Sequence, residues 1–138
     1  MGYSVTVNSF FTEKYLNTIY DHQSPGYWHV LTCYFRRFFL LFSVQKYDLI
    51  IIEKEIFPYL PAFAELFLSK VNQYWVDYDD AVFHNYDQKD NFMVNLLMPK
   101  KIDHVMKMAN RVIVGNDYLK KRAEVAGAKK IEVFPTVI

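Results

Sequence analysis

The spacing of hydrophobic positions changes period several times along the chain. Ser4-Val5-Thr6-Val7-Asn8 alternates polar and β-branched residues, the pattern of a short strand. From Phe10 to Tyr20 the apolar positions Phe11, Tyr15, Leu16 and Ile19 fall at helical spacing. Ser24-Pro25-Gly26 interrupts the chain, and Tyr27 to Val44 then predicts a long helix that is apolar on most of its faces. Asp48-Leu49-Ile50-Ile51-Ile52 is an unbroken branched apolar run, typical of a strand covered on both faces in a parallel sheet. Pro58 and Pro61 open a helix through Ala62, Phe63, Leu66, Phe67 and Leu68. Gln73 to Tyr78 predicts the next strand, and a polar loop follows from His84 to Asn91. Pro99 opens a helix with Ile102, Val105, Met106 and Ala109 on one face, and Arg111 to Val114 reads as a strand. Asp117 is placed to cap a helix from Tyr118 to Ala126, which Gly127 stops. Ile131 to Phe134 is a last strand, ended by Pro135.

Strands and helices that alternate in this way predict an α/β fold, a Rossmann-like three-layer domain with a mostly parallel sheet. In such a sheet ligands sit beyond the carboxyl ends of the strands. The residues expected there are Glu53-Lys54-Glu55, Asp79-Asp80, Gly115-Asn116 and Pro135-Thr136. Four clusters at one edge of one sheet form the candidate site.

Composition narrows the function. A chain of 138 residues is one domain's worth. With 52% hydrophobic and 18% aromatic residues it is not a disordered segment. Sixteen Lys and Arg against 15 Asp and Glu argue against a strongly electrostatic nucleic-acid binder. Cys33 is a single cysteine, so no internal disulfide forms, and four glycines supply no Gly-rich phosphate loop. The four histidines, His22, His29, His84 and His104, show no zinc-like spacing, and no metal site is expected. The N-terminus lacks the pattern of a signal peptide. The most apolar run, Phe38 to Phe42, is far short of the ~20 residues a spanning helix needs, which points to a cytoplasmic protein.

Each candidate at the sheet edge has a chemical and a bland reading. Asp79 and Asp80, with Asp77, could accept a proton from a substrate hydroxyl, could hold a divalent metal through oxygen ligands, or could form a solvated turn. His84 could be a base oriented by a carboxylate, or an exposed loop residue. Gly115-Asn116 could offer N–H groups and an amide to an anion or hydroxyl at a helix start, or simply cap that helix. Glu53-Lys54-Glu55 could be a local ion pair. Arg36-Arg37 beside Phe38, Phe39 and Phe42 fits a membrane-surface patch less well than a core helix with two arginines reaching solvent. Lys100-Lys101, Lys120-Lys121-Arg122 and Lys129-Lys130 read as solvated helix ends, with attraction to anionic lipid as the lesser reading.

Several of these segments come in a recognisable order: Tyr47 to Pro58 (YDLIIIEKEIFP), Glu65, Val76 to Val82 (VDYDDAV), Val112 to Leu119 (VIVGNDYL) and Val133 to Val137 (VFPTV). Together they resemble the N-terminal half of bacterial GT-B glycosyltransferases of the group 1, or family 4, type. The resemblance covers roughly residues 47 to 137 well and 3 to 20 loosely. It implies an acceptor-side Rossmann-like domain facing a C-terminal domain that binds most of a nucleotide-sugar donor. Asp79 and Asp80 would then line the acceptor side of the cleft as candidate catalytic residues. Lys54, Glu55, His84, Gly115 and Asn116 would be substrate-binding candidates. The implied partners are a glycan or lipid-linked acceptor and the donor domain, with peripheral membrane contact at the inner face and no nucleic acid.

Two features depart from that family. Its opening strand–helix unit has no counterpart ahead of Gly2-Tyr3-Ser4-Val5, and the sequence ends at Val137-Ile138, where the linker to the donor domain would begin. The expectation is a fragment, inactive alone, that binds no nucleotide sugar itself. The alternative is a stand-alone α/β binding module that docks a partner through the Tyr27 to Val44 helix. A phospho-acceptor receiver domain is a weaker third reading, because Met1 to Phe11 contains no acidic residue.

Overall fold

Four short strands, β1 (Ile50–Glu53), β2 (Tyr74–Tyr78), β3 (Arg111–Val114) and β4 (Ile131–Val133), pair in the order β1-β2-β3-β4. All three pairings are parallel, with Ile52 opposite Val76, Val76 opposite Val112, and Val112 opposite Ile131. The computed structural model describes residues 2–21, 24, 26–87 and 91–135. His22, Pro25 and Thr136, which the sequence singled out, lie outside the described residues. The chain divides into two compact units, Met1–Leu40 and Leu41–Ile138.

In the first unit, α1 (Glu13–Tyr20) starts where Thr12 Oγ1 accepts the Tyr15 N–H at 3.3 Å. The same hydroxyl meets His29 Nε2 at 2.9 Å on α2 (Tyr27–Leu40). The helix predicted to reach Val44 ends at Leu40. Of its residues Cys33 is buried, while Trp28, Phe35 and Phe39 are exposed. The alternating Ser4-to-Asn8 segment forms no strand, with Val5 79% and Val7 85% exposed. Alternation gives a strand only where a neighbouring strand takes up its backbone groups, and no strand among the described residues pairs with this segment. Arg36 and Arg37 donate to backbone carbonyls instead: Arg36 to Ser9 and Phe10, and Arg37 to Asn8 at 3.0 Å. Burial and the neighbouring Arg36 charge lower the Arg37 pKa.

The second unit is the α/β domain predicted, with an all-parallel, Rossmann-like sheet of four strands. It opens with a 3₁₀ segment, Leu41–Lys46, that packs on α3 (Phe63–Val71). α3 links β1 to β2. The β2-to-β3 connection holds α4 (His84–Asp87), α5 (Phe92–Leu97) and α6 (Lys101–Met108), and α7 (Asp117–Ala126) links β3 to β4. α3 packs on α6 and α6 on α7, so these helices form one layer. That is the outcome expected when successive parallel strands are joined by crossovers of one hand. Side chains alternate across the strands. Ile52, Tyr74, Val76, Tyr78, Val112 and Val114 are buried, as are Leu68, Val105, Met106 and Leu119 of the helices.

The opposite face of the sheet is more open. β1 is an edge strand and Ile51 is 60% exposed, so the Ile50-Ile51-Ile52 run is not covered on both faces as predicted. On that face Arg111 stacks over the Trp75 ring at 4.2 Å and pairs with Glu132. Glu53 stands opposite Asp77. Partial burial, with Asp79 and Glu53 nearby, raises the Asp77 carboxyl above its ordinary value.

Two local predictions shift by a residue or more. Pro58 and Pro61 precede α3 rather than sit in its first turn, and the chain between them passes through Tyr59 at φ 57°. The cap of α7 is Asn116, whose Oδ1 accepts the Leu119 N–H at 2.9 Å. Asp117 takes the first helical position, where a carboxylate suits the helix dipole. Gly127 ends the helix in the left-handed region at φ 81°, as predicted. Asn116→Ala is expected to cost about 1 kcal/mol, read as a lower urea midpoint with an unchanged slope.

Candidate functional site

The site begins where β1 ends. The Lys54 N–H still donates to Asp77 O at 3.0 Å, so the ladder runs one residue past the strand. Lys54 itself has φ 69°, an uncommon conformation for a side-chain-bearing residue. Lys54 and its neighbour Glu55 then go different ways. Lys54 Nζ donates to Asp80 Oδ2 at 3.0 Å, and both side chains are exposed. The hydrogen bond to Asp80 raises the lysine pKa, against the opposing effect of burial. A pair this exposed adds little stability, so its groups are available to meet a ligand.

Glu55 turns inward. Its carboxylate accepts the Tyr86 hydroxyl, 2.6 Å to Oε2, and the ammonium of Lys101. Lys101 also donates to Phe57 O and lies 5.2 Å from the centre of the Tyr86 ring. Tyr86 Oη in turn accepts the Tyr59 N–H at 2.9 Å. Lys101 is 3% exposed, so Lys100-Lys101 is not a solvated helix end as predicted: its second residue anchors the core. Glu55 is therefore a framework residue that ties the loop after β1 to α4 and α6.

Beneath this network lies a second buried acid. Glu65, in the first turn of α3, accepts the Ile56 N–H at 2.8 Å through Oε1. Its Oε2 has no hydrogen-bond partner among the described residues, and neither has the buried hydroxyl of Tyr78. Burial raises the Glu65 carboxyl above its ordinary value, against the Ile56 hydrogen bond. Burial, and next the charge of Glu65, push the Tyr78 phenol well above the ordinary tyrosine value.

His84 opens α4 and holds two partners. Nδ1 meets Asp87 Oδ1 at 3.0 Å, and Nε2 meets Tyr118 Oη at 2.8 Å. Arg122 continues the chain from Asp87, 3.4 Å away, to Asp103, which it grips through two bonds of 2.7 and 3.0 Å. His84 thus has a carboxylate on one ring nitrogen, and its second nitrogen faces the exposed Tyr118 hydroxyl. The loop predicted from His84 to Asn91 begins with this short helix.

Gly115 and Asn116 serve the fold. The Gly115 N–H donates to Tyr78 O at 3.1 Å, and Asn116 Oδ1 caps α7. Asp79 and Asp80 follow β2 directly and are exposed. Among the predicted site residues, the structure joins Lys54 to Asp80, sends Glu55 into the interior and gives His84 to Asp87 and Tyr118. No group of three or more His, Cys, Asp or Glu among the described residues is arranged to hold a metal. Sequence reasoning missed Lys101, Tyr86, Tyr118 and Arg122. A signal for Lys101 was present, because it lies four residues before Val105 on the apolar stripe of α6. No known family, curated protein or solved structure matches the chain.

Proposed function

We propose that this domain is the acceptor-side domain of a glycosyltransferase that moves a sugar from a nucleotide-sugar donor to a glycan or lipid-linked acceptor. The observation that carries the reading is the Lys54–Asp80 pair, which sets a donor and an acceptor side by side beyond the carboxyl ends of two parallel strands. Paired donor and acceptor groups of this kind suit the hydroxyls of a sugar. Asp80 and Asp79 are the carboxylates placed to accept a hydroxyl proton. His84, held by Asp87, is a second candidate base, with Tyr118 Oη at the position a substrate hydroxyl would take. Glu55 and Lys101 hold the loop that carries Lys54. In this reading the nucleotide sugar is held by a donor domain and the acceptor by this one.

The test uses amide chemical shifts of the isotope-labelled chain titrated with glucose, galactose, N-acetylglucosamine and their common disaccharides. At least one sugar is expected to move the amides of Lys54, Asp80 and His84 saturably, and Asp80→Asn is expected to weaken that binding about tenfold. Shifts absent for every sugar, or confined to residues away from the sheet edge, would overturn the reading.

A further inference from the structure

Asp87, His84 and Tyr118 stand in a line whose chemistry reaches beyond sugar recognition. Asp87 Oδ1 lies 3.0 Å from His84 Nδ1, and His84 Nε2 lies 2.8 Å from Tyr118 Oη. The residue types fix where the protons sit. An ionised carboxylate only accepts, so the hydrogen between Asp87 and the ring belongs to Nδ1. A neutral imidazole carries one N–H, which leaves Nε2 to accept the Tyr118 O–H. Carboxylate, imidazole and hydroxyl therefore follow one another in the order by which a base activates a nucleophile.

The line is held from outside. Arg122 Nη1 donates to Asp87 Oδ2 at 3.4 Å, and Arg122 is itself anchored by its two bonds to Asp103. Phe83, 2% exposed, packs against both rings, its centre 4.5 Å from that of His84 and 6.0 Å from that of Tyr118. Groups fixed in this way need little ordering before they react. The far end of the line is open. Tyr118 is 56% exposed, so a reagent reaches Oη from solvent. It lies in the first turn of α7, where the helix dipole favours negative charge on an attacking oxygen.

We propose that Tyr118 is a nucleophile, with His84 as its general base, that takes the acyl group of an activated carboxylic ester. A phenol is a poor nucleophile near neutral pH until a base removes its proton. Tyr118 Oη forms a bond to the acyl carbon as its proton passes to His84 Nε2, and the carbonyl pair moves onto oxygen. When that pair returns, the bond from the acyl carbon to the alcohol oxygen breaks, and His84 gives the proton to the departing alcohol. The products are an O-acyl tyrosine and a free alcohol, with nothing oxidised or reduced. Asp87 is a positioning residue, which keeps the hydrogen on Nδ1 and Nε2 free to accept.

The chain has 11 tyrosines, and Tyr3, Tyr20 and Tyr27 are more exposed than Tyr118, so exposure alone would favour them. The test treats the chain near neutral pH with p-nitrophenyl acetate and locates the acetyl groups by peptide mass spectrometry. Hydroxylamine removes acetyl from tyrosine oxygen and leaves it on lysine nitrogen, which separates the two products. Tyr118 is expected to react about a hundredfold faster than Tyr27, the lower end of what a general base contributes. His84→Gln should bring Tyr118 down to the Tyr27 rate. Asp87→Asn, whose amide N–H favours hydrogen on Nε2, should slow it at least about tenfold. Imidazole nitrogen chemical shifts should place the His84 proton on Nδ1 in the parent and on Nε2 in Asp87→Asn, a change that a merely less stable fold does not produce. Tyr27 reports the reagent within the same molecule, and thermal melts report folding. Tyr118 labelled no faster than Tyr27, labelling that neither substitution slows, or a His84 proton resting on Nε2 in the parent would overturn the proposal. The labelling involves no sugar and sugar binding involves no acyl group, so this proposal and the glycosyltransferase reading can fail separately.

Discussion

The Lys101→Met variant is expected to lose about 3–5 kcal/mol of folding stability, a large share of the roughly 5–15 kcal/mol that holds an ordinary domain folded. The reason lies in what is left behind. Lys101 Nζ bonds both Glu55 and the Phe57 carbonyl while almost wholly buried. Methionine fills the stem of the lysine but leaves the Glu55 carboxylate with the Tyr86 hydroxyl and no counter-charge. Removing both charges separates that penalty from the value of the pair. The Glu55→Gln/Lys101→Met double variant should recover a large part of the loss, since a glutamine keeps an acceptor for Tyr86 Oη without needing a cation. Urea denaturation followed by tryptophan fluorescence measures both. A Lys101→Met midpoint close to that of the parent would show that the network is not formed.

The Lys101 case also shows what the sequence could and could not disclose. The strands were legible because short β-branched runs bounded by charge and turn residues have few other uses, and all four lie where the pattern puts them. What the runs did not disclose was their neighbours. Ile50-Ile51-Ile52 has the composition of a strand covered on both faces, yet β1 ends the sheet and turns Ile51 outward, because coverage is set by the connections rather than by the strand. The Ser4-to-Asn8 alternation failed for the same reason, having a strand's period and no partner. At the site, the residue types at the strand ends were legible, but their direction was not. Lys54 and Glu55 differ by one position, and a left-handed backbone at Lys54 accompanies one facing solvent and the other facing Lys101. His84 and Asp87 are three residues apart and could be paired from sequence. Tyr118, 34 residues away from His84, could not.

The buried acid Glu65 makes a sharper prediction, about pH. Its folded-state carboxyl binds a proton more tightly than the ordinary value of 4.5, because burial disfavours the charge. Below that value both folded and unfolded chains are protonated and Glu65 contributes no pH dependence. Above it the unfolded chain releases its proton first, so the folded state holds more protons and stability falls as pH rises. The fall amounts to about 1.4 kcal/mol for each pH unit until the folded carboxyl also ionises. Asp77, raised by burial and by Asp79 and Glu53, acts in the same direction from its lower starting point. Glu65→Gln keeps the acceptor for the Ile56 N–H and stays neutral at every pH. Parent and variant should therefore be about equally stable in acid, and the variant should pull ahead toward neutrality. Tyr78→Phe removes the buried hydroxyl that has no partner and is expected to stabilise by about 1–2 kcal/mol. Since the Glu65 charge weighs on Tyr78 only once it forms, that gain should change little across the acid range, whereas the Glu65→Gln gain must grow with pH. Urea titrations of the three proteins over a pH series measure these slopes. Parallel curves for parent and Glu65→Gln would mean that Glu65 titrates alike in the folded and unfolded chains, and that its carboxylate finds in the interior the partner its Oε2 lacks in the structure.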